Sequence, residues 1–312
     1  MKFRRNIPLA LCLLTLCSCK PVPPKEELRL LLTGDVMLDR GIRSLIERKG
    51  VRLLFKGIQK EIDSADAVVI NLECPLTTVN EPTAKAFVFR GEPSWADSLN
   101  AIGITHACMA NNHTYDQGTK GVTDTYQNLK KAGIVPLGYG KTETERHRPT
   151  LICNGNDCVA LFSVTLLGLS GWDNREGESG ICHTTPKQLV ETVAAYKSAH
   201  PHHIIVVIPH WGTEYRQQAD EQQRLLADEL TKAGASAIVG HHSHVRQNCD
   251  TTKGRHIFYS LGNCVFDQNK PLTRQAALVD LRVRQGVIRT RLIPIEIDRF
   301  CPNIKNADED KP

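Results

Sequence analysis

Two apolar, β-branched runs of this chain each lead directly into histidine, and this pattern constrains the fold more than any other feature. The runs are IVVIPHWGTEY at 205–215 and the segment before GHHSHVRQ at 240–247. Such runs are typical of buried strands. Neutral imidazole is the commonest protein metal ligand, so we expect His210, His242 and His244 to converge on one ion. In an extended segment, side chains alternate, which would place the last two histidines on the same side.

Three further junctions between a strand and a loop carry polar side chains. Asp35 follows LRLLLTG, Glu73 follows ADAVVINL, and Asn112 follows the strand that ends in CMA. In open α/β sheets, ligands bind outside the carboxyl ends of the strands, so we expect these residues to share one site with the histidines. Each residue alone also has a plainer interpretation: a helix cap for Asp35, a solvated surface residue for Glu73, and a turn for Asn112.

The proposed donors are mixed nitrogen and oxygen atoms, which suit Mn, Fe or Zn better than Ca or Mg. The sequence therefore predicts one or two divalent ions of that kind. His113 adjoins Asn112 and could reach a substrate instead of the ion. Asp116 could orient its imidazole. We accordingly interpret His113 and Asp116 as a catalytic acid–base pair.

Three other residues are candidates for substrate binding. Arg90 lies in FVFRGEP and Arg216 follows HWGTEY, and a guanidinium matches phosphate bidentately. A surface ion pair is an equally good interpretation of either arginine. Asn263, in YSLGN, could line the site or form a turn.

The N-terminal segment 1–19 has a basic start and a short apolar stretch, which is typical of a secretory signal. It ends in LCSC, which resembles a bacterial lipoprotein cleavage box with Cys19 as the lipidated residue. A plain signal peptide or an uncleaved anchor is the alternative. Residues 20–27 begin KPVPP and predict an extended tether. We thus expect a protein of the bacterial cell envelope, lipid-anchored to a membrane and facing the periplasm or the exterior.

Length and composition favour one large α/β domain, at 28–299, followed by a polar tail at 300–312. The chain has 312 residues, 41% hydrophobic and 23% charged. Without the three basic leader residues, 36 basic residues face 34 acidic ones. No basic block or aromatic run suggests nucleic acid as a partner. Cys153 and Cys158 flank the turn sequence NGND and could bridge a hairpin in an oxidising compartment.

Strands alternate with helices in the first half, and hairpins occur near the middle and the end. This order predicts a layered α/β fold with mixed sheets. Seven ordered runs, spanning about residues 28–270, then carry a family resemblance. They are TGDVMLDRG, NLECPLT, FVFRGEP, ANNHTYDQG, HWGTEY, AGASAIVGHHSHVRQ and YSLGNCVFD. The chain resembles the poly-gamma-glutamate capsule-synthesis protein family (CapA), a branch of the calcineurin-like metallophosphoesterase superfamily. The resemblance implies a four-layer α/β sandwich with metals at the strand ends.

The resemblance also assigns roles to residues in the first half of the chain. Asp35 falls where the superfamily has its first metal-binding aspartate, and Met37 stands where a histidine usually follows. Glu73 falls near the usual bridging aspartate. Asn112 and His113 match the asparagine ligand and the acid–base histidine.

In the second half, His210 matches the next ligand, and His242 and His244 match a pair of histidine ligands, with His241 as an extra residue. Two functions follow from the whole pattern. One is a metal-dependent hydrolase that acts on a phosphoester or on a bond of an envelope polymer. The alternative is a non-catalytic, anchored factor for assembly or export of an anionic capsule polymer, working with capsule-synthesis proteins.

Overall fold

The protein is described by a computed structural model that covers residues 25–168 and 179–305. The predicted signal segment with Cys19, most of the tether, and the last residues of the predicted tail lie outside these ranges. Residues 169–178 also lie outside them.

The first half of the chain alternates strands with helices, as the sequence predicts. Its elements are β1 Leu28–Val36, α1 Gly41–Lys49, α2 Arg52–Phe55, α3 Gln59–Asp63, β2 Ala67–Leu72, α4 Trp95–Ala101, β3 His106–Cys108, α5 Gly118–Lys131, β4 Val135–Leu137, β5 Tyr139–Gly140, α6 Glu143–Arg146, β6 Thr150–Asn154 and β7 Asp157–Thr165.

The second half adds two helices and then ends in strands. Its elements are β8 Gly180–Ile181, α7 Pro186–Ala199, β9 Ile204–His210, α8 Glu221–Lys232, β10 Ala237–Val239, β11 Cys249–Asp250, β12 Ile257–Phe258, β13 Asn263–Val265, β14 Gln275–Arg284, β15 Val287–Asp298 and β16 Cys301–Ile304. Among the described residues, every helix is too short or too polar to cross a lipid bilayer.

Two mixed sheets form the centre of the fold. The first has the order β16-β15-β14-β1-β2-β3-β4, with β13 also paired to β1, and the second has the order β11-β12-β10-β9-β7-β6. Because side chains alternate along a strand, Leu30 of β1 packs with Val206 of β9 in an apolar cluster between the sheets. Leu31, on the other face of β1, packs with Ile42 of α1. The layers therefore run helix, sheet, sheet, helix, which confirms the predicted mixed α/β sandwich.

One boundary near the C-terminus differs from the predictions. The tail expected from residue 300 still belongs to the sheet at its start, because β16 pairs antiparallel with β15. Pro302 argues against a strand in the sequence, because proline in a strand is confined to edges. The strand forms here because β16 is an edge strand.

Cys153 and Cys158 form a disulfide across the turn between β6 and β7. The two residues face each other directly in the antiparallel register of this hairpin. The pairing that the turn sequence suggested is therefore present in the structure.

A buried ion pair ties β1 to β14. Asp280 is 1% exposed and accepts hydrogen bonds from Arg29 Nε at 2.9 Å, Arg282 Nη2 at 3.2 Å and Arg291 Nη2 at 3.1 Å. Burial raises the pKa of Asp280, but the hydrogen bonds from the three arginines outweigh burial, and the net shift is downward. The carboxylate is therefore held in its charged form inside the sheet.

Replacing Asp280 by asparagine should lower the free energy of unfolding by about 2 kcal/mol, because Arg29 loses one of its two carboxylate partners and keeps only Glu61. Since the folded pKa is depressed, this stabilisation is complete above the unfolded pKa near 4 and is lost as the pH falls through the folded pKa. Urea unfolding at pH 7 and pH 3 measures both effects. The control is Arg291→Gln, because Arg291 is an exposed partner of Asp280. It should change the free energy of unfolding by at most about 0.5 kcal/mol. Equal stability of Asp280→Asn and the wild type at pH 7 would contradict this assignment.

Candidate metal centre

The candidate site lies where the carboxyl ends of parallel strands from both sheets meet. β1 contributes Asp35 and β9 contributes His210. Glu73 follows β2 directly, and His242 and His244 follow β10. The predicted placement of these residues at strand ends is what brings donors from two sheets together.

Three buried side chains form the centre of the cluster. Asp35, Glu73 and His210 offer ligand atoms that all lie within 4.8 Å of one another. Glu73 Oε1 is 3.9 Å from Nε2 of His210, 3.7 Å from Nε2 of His244 and 3.9 Å from Nε2 of His113. Within the described residues, neither carboxylate oxygen of Glu73 has a hydrogen-bond partner. A buried carboxylate without hydrogen bonds is costly unless it is paired or binds a cation, so this arrangement fits a divalent metal ion.

The protonation of this cluster reflects burial and mutual repulsion. Burial raises the pKa of Glu73 well above its usual range, and the negative charge of Asp35 raises it further. Burial lowers the pKa of His210 far below its usual range, and His242 adds to this effect. For His244, burial also lowers the pKa, but Glu73 and Asp35 prevail and raise it to about 9. The metal-free cluster therefore stores a proton that a metal ion would have to displace.

The histidine segment adopts a tighter conformation than the predicted extended one. His242 and His244 have φ values of +96° and +56°, a region that non-glycine residues seldom occupy. The two imidazole centroids nevertheless lie 6.1 Å apart, and that of His242 lies 4.9 Å from that of His210. His242 Nδ1 is buried and has no hydrogen-bond partner among the described residues. Backbone strain of this kind clusters at functional sites.

Two glycines allow the close backbone contacts behind the site. A Cβ on Gly34 would lie 2.0 Å from the carbonyl oxygen of Gly262, and a Cβ on Gly240 would lie 2.0 Å from that of Tyr259. β1 continues through Gly34 to Val36, and Gly34 lets this strand approach the segment after β12.

Asn71 is a site residue that sequence reasoning missed. Its Nδ2 donates to Asp35 Oδ1 at 2.8 Å and lies 3.3 Å from His210 Nδ1. Nδ2 of Asn111 lies 3.3 Å from Oδ1 of Asn71. The signal was present, because Asn71 lies two residues before Glu73 and strand alternation puts both on one face.

His113 is oriented by the carboxylate that the sequence suggested. Its Nδ1 lies 2.7 Å from Asp116 Oδ2, which leaves Nε2 directed toward Glu73. Asp116 also accepts hydrogen bonds from Lys85 Nζ at 2.6 Å and from the backbone N–H of Phe89 at 2.7 Å. Burial lowers the pKa of His113, although Asp116 opposes the shift. Lys85 is a further site residue, and no sequence motif pointed to it.

The predicted ligand Asn112 and the predicted substrate-binding residue Asn263 also belong to this neighbourhood. Asn112 Oδ1 lies 2.9 Å from His210 Nε2, and Asn263 Oδ1 lies 3.0 Å from His244 Nδ1. Met37 is fully buried, and its sulfur accepts a hydrogen bond from the backbone N–H of Asp39. No imidazole is thus offered at the position of Met37.

A cleft of about 120 Å³ opens beside the cluster, with His113 and His244 in its wall. Neither Arg90 nor Arg216 belongs to the described residues that line it. The backbone of Arg90 bonds to Asp39 and Arg43, and the carbonyl of Arg216 accepts from Gln247. The lining residues are Arg40, Phe87, Phe89, His113, Glu214, Tyr215, His244, Phe266 and Gln268.

Comparison with known proteins identifies the family. A family model described as bacterial capsule synthesis protein PGA_cap matches residues 29–268. The chain belongs to the PGA_cap family. This membership confirms the resemblance that the ordered sequence runs suggested.

Two relatives of this PGA_cap protein come from Bacillus. It is 31% identical over 274 residues to the PGA biosynthesis protein CapA of Bacillus subtilis, covering 86% of this chain and 71% of that one. It is 29% identical over 293 residues to the capsule biosynthesis protein CapA of Bacillus anthracis, covering 92% of this chain and 71% of that one.

The fold resembles that of the NAD nucleotidase NadN from Haemophilus influenzae, with a TM-score of 0.50, 11% identity and coverage of 91% of this chain. The chain spans 60% of the length of NadN, and at this identity the likeness concerns the fold alone. It confirms the metallophosphoesterase-like architecture.

The affinity for a metal ion should rise with pH, because His244 must lose its proton before it can bind the ion. Glu73 and Asp35 raise the pKa of His244 to about 9, so the proton is still present at neutral pH. We expect the affinity for Mn²⁺ to rise about tenfold per pH unit between pH 6.5 and 8.5 for each proton displaced. Calorimetric titration of the metal-free protein measures this slope.

Glu73→Gln should abolish binding in the same titration, whereas the matched control Glu47→Gln, at an exposed position on α1, should bind as the wild type does. An affinity for Mn²⁺ that stays constant across this pH range would rule out proton displacement.

Proposed function

We propose that this protein is a metal-dependent hydrolase that acts on a phosphoester or on a bond of an envelope polymer. The observation that carries the proposal is the buried Glu73 carboxylate, which lacks hydrogen bonds and is surrounded by Nε2 atoms of three histidines. Membership of a capsule-synthesis family suggests a role at the cell envelope. Anchoring through a lipid on Cys19 is part of the proposal.

The residues divide into metal-holding and proton-transferring groups. Bound there, a divalent ion would polarise a phosphoryl or carbonyl oxygen and help to activate water. The mixture of imidazole and carboxylate donors suits Mn, Fe or Zn. The proposed ligands are Asp35, Glu73, Asn112, His210, His242 and His244.

His113 would move the proton. Because Nδ1 is engaged by Asp116, Nε2 can take the proton that the attacking water releases and pass it to the leaving oxygen or nitrogen. Its lowered pKa keeps the ring neutral at pH 7, so Nδ1–H donates to Asp116 and Nε2 starts as a base. The ring also packs on Phe89, with centroids 4.2 Å apart, which limits its rotation.

One observation favours the non-catalytic alternative. Met37 occupies the position where the superfamily usually has a histidine, and its side chain is buried in the core with no exposed surface. A site with one donor fewer could serve to hold an anionic polymer without cleaving it. In that case, capsule-synthesis proteins would be the partners and the metal would have a structural role.

His113→Ala distinguishes the two functions. We expect kcat to fall by about 10² to 10⁴, the usual contribution of an acid–base group, while the metal content stays at the wild-type value. The assay is hydrolysis of p-nitrophenyl phosphate, bis(p-nitrophenyl) phosphate and a γ-glutamyl anilide by Mn²⁺-loaded protein, with elemental mass spectrometry for the metal.

The matched control is His202→Ala, an exposed histidine in the loop before β9, which should retain wild-type kcat. Turnover that is equal in His113→Ala and the wild type would remove His113 from the mechanism. A metal-loaded wild type that hydrolyses none of these compounds yet binds poly-gamma-glutamate would favour the non-catalytic factor.

A further inference from the structure

The mouth of the cleft contains a strained arginine that the proposed chemistry does not use. Arg40 has φ +55° and ψ −124°, and a positive φ is costly for a residue with a Cβ. It lies between β1, which carries Asp35, and the first turn of α1. A residue that keeps this conformation must be held there by its surroundings.

Asp267 supplies that restraint. Its Oδ2 accepts from Arg40 Nε at 2.9 Å and from the backbone N–H of Gly41 at 3.2 Å, and its Oδ1 lies 2.9 Å from Arg40 Nη2. The guanidinium carbon also lies 5.9 Å and 5.6 Å from the ring centroids of Phe87 and Phe89. Since these contacts use Nε, Nη2 and the guanidinium face, they leave Nη1 for a further acceptor.

The position of Arg40 suggests what that acceptor is. Arg40 is the only arginine or lysine among the described residues that line the cleft, and its side chain is 41% exposed. The cleft wall also contains His113 and His244. At about 120 Å³ it is smaller than the roughly 300–1,000 Å³ of sites for drug-sized ligands. It therefore suits one small group of a substrate that continues into solvent.

We propose that Arg40 is a specificity-determining residue that binds an anionic oxygen group of the substrate, a carboxylate or a phosphate, beside the metal centre. The guanidinium is pre-oriented by Asp267 and by two aromatic rings, so little side-chain freedom is lost on binding. Arg40 takes the role that the sequence suggested for Arg90 and Arg216, which lie outside the cleft lining. The proposal rests on the proposed function in taking this cleft as the entrance to the site.

The test measures binding, so it does not depend on turnover. Ligand-observed NMR titrations on metal-free, full-length protein give dissociation constants for two probes, glutarate and inorganic phosphate. We expect saturable binding of at least one probe, weakened tenfold or more in Arg40→Gln, because a charge-assisted hydrogen bond is lost. Arg40→Lys should be weakened less than Arg40→Gln, and Arg90→Gln should remain within about twofold of the wild type.

A second variant keeps the test valid if Arg40→Gln fails to fold. Arg40→Gly removes the guanidinium and relieves the positive φ, so it should fold and lose binding as Arg40→Gln does. The probe with the lower dissociation constant shows whether the recognised group is a carboxylate or a phosphate. The proposal is overturned if neither probe binds saturably to the wild type, if both Arg40 variants bind as the wild type does, or if Arg90→Gln loses as much affinity as they do. Metal binding and His113-dependent turnover are separate measurements, so failure of either is distinguishable from failure here.

Discussion

Everything at this site depends on one buried carboxylate that receives no hydrogen bond from the part of the protein that the structure describes. Glu73 has no exposed surface and no hydrogen bond within the described residues, and Asp35 repels it. A fold does not retain such a group for stability, since burying an uncompensated charge is costly. Burial also makes protonation of His113 and His210 costly, whereas His244 holds a proton because Glu73 and Asp35 outweigh the effect of burial on its pKa. A cation bound between the carboxylate and the imidazoles would offset the cost of burying all of these groups.

The two-sheet architecture makes this cluster possible. Asp35 belongs to the first sheet and His210 to the second, and the apolar layer between the sheets sets their separation. His241 Nε2 lies 2.9 Å from the carbonyl oxygen of Thr33 and so links the sheets directly behind the site. This residue, which looked like a bystander in the sequence, holds the histidine segment of one sheet against the first strand of the other. The metal centre is thus a product of sheet stacking.

The sequence was sufficient for the strand-end residues because their signal is local. An apolar run followed by Asp35, Glu73 or His210 is visible in the printed chain, and parallel strands bring such ends to one edge. What the sequence hid depends on other segments. The positive φ of His242 and the close approach of Gly240 to Tyr259 lie in the same segment, and no local pattern encodes either. Likewise, Arg40 faces the cleft because Asp267, more than two hundred residues away, holds it.

The arginines show that a sequence motif can indicate a residue type without indicating its position in the fold. Arg90 of FVFRGEP was a candidate because a guanidinium matches phosphate bidentately, yet it lies outside the described lining of the cleft. In the fold, the two phenylalanines of this run do line the cleft. Their rings flank Arg40 instead, because the backbone of Arg90 is fixed to Asp39. FVFRGEP contributes the two aromatic rings of the cleft wall, and the loop after β1 contributes the charged side chain of Arg40. Asp267 and the two rings hold the Arg40 guanidinium in one orientation while the side chain stays 41% exposed, so little ordering would be needed for it to bind an anion.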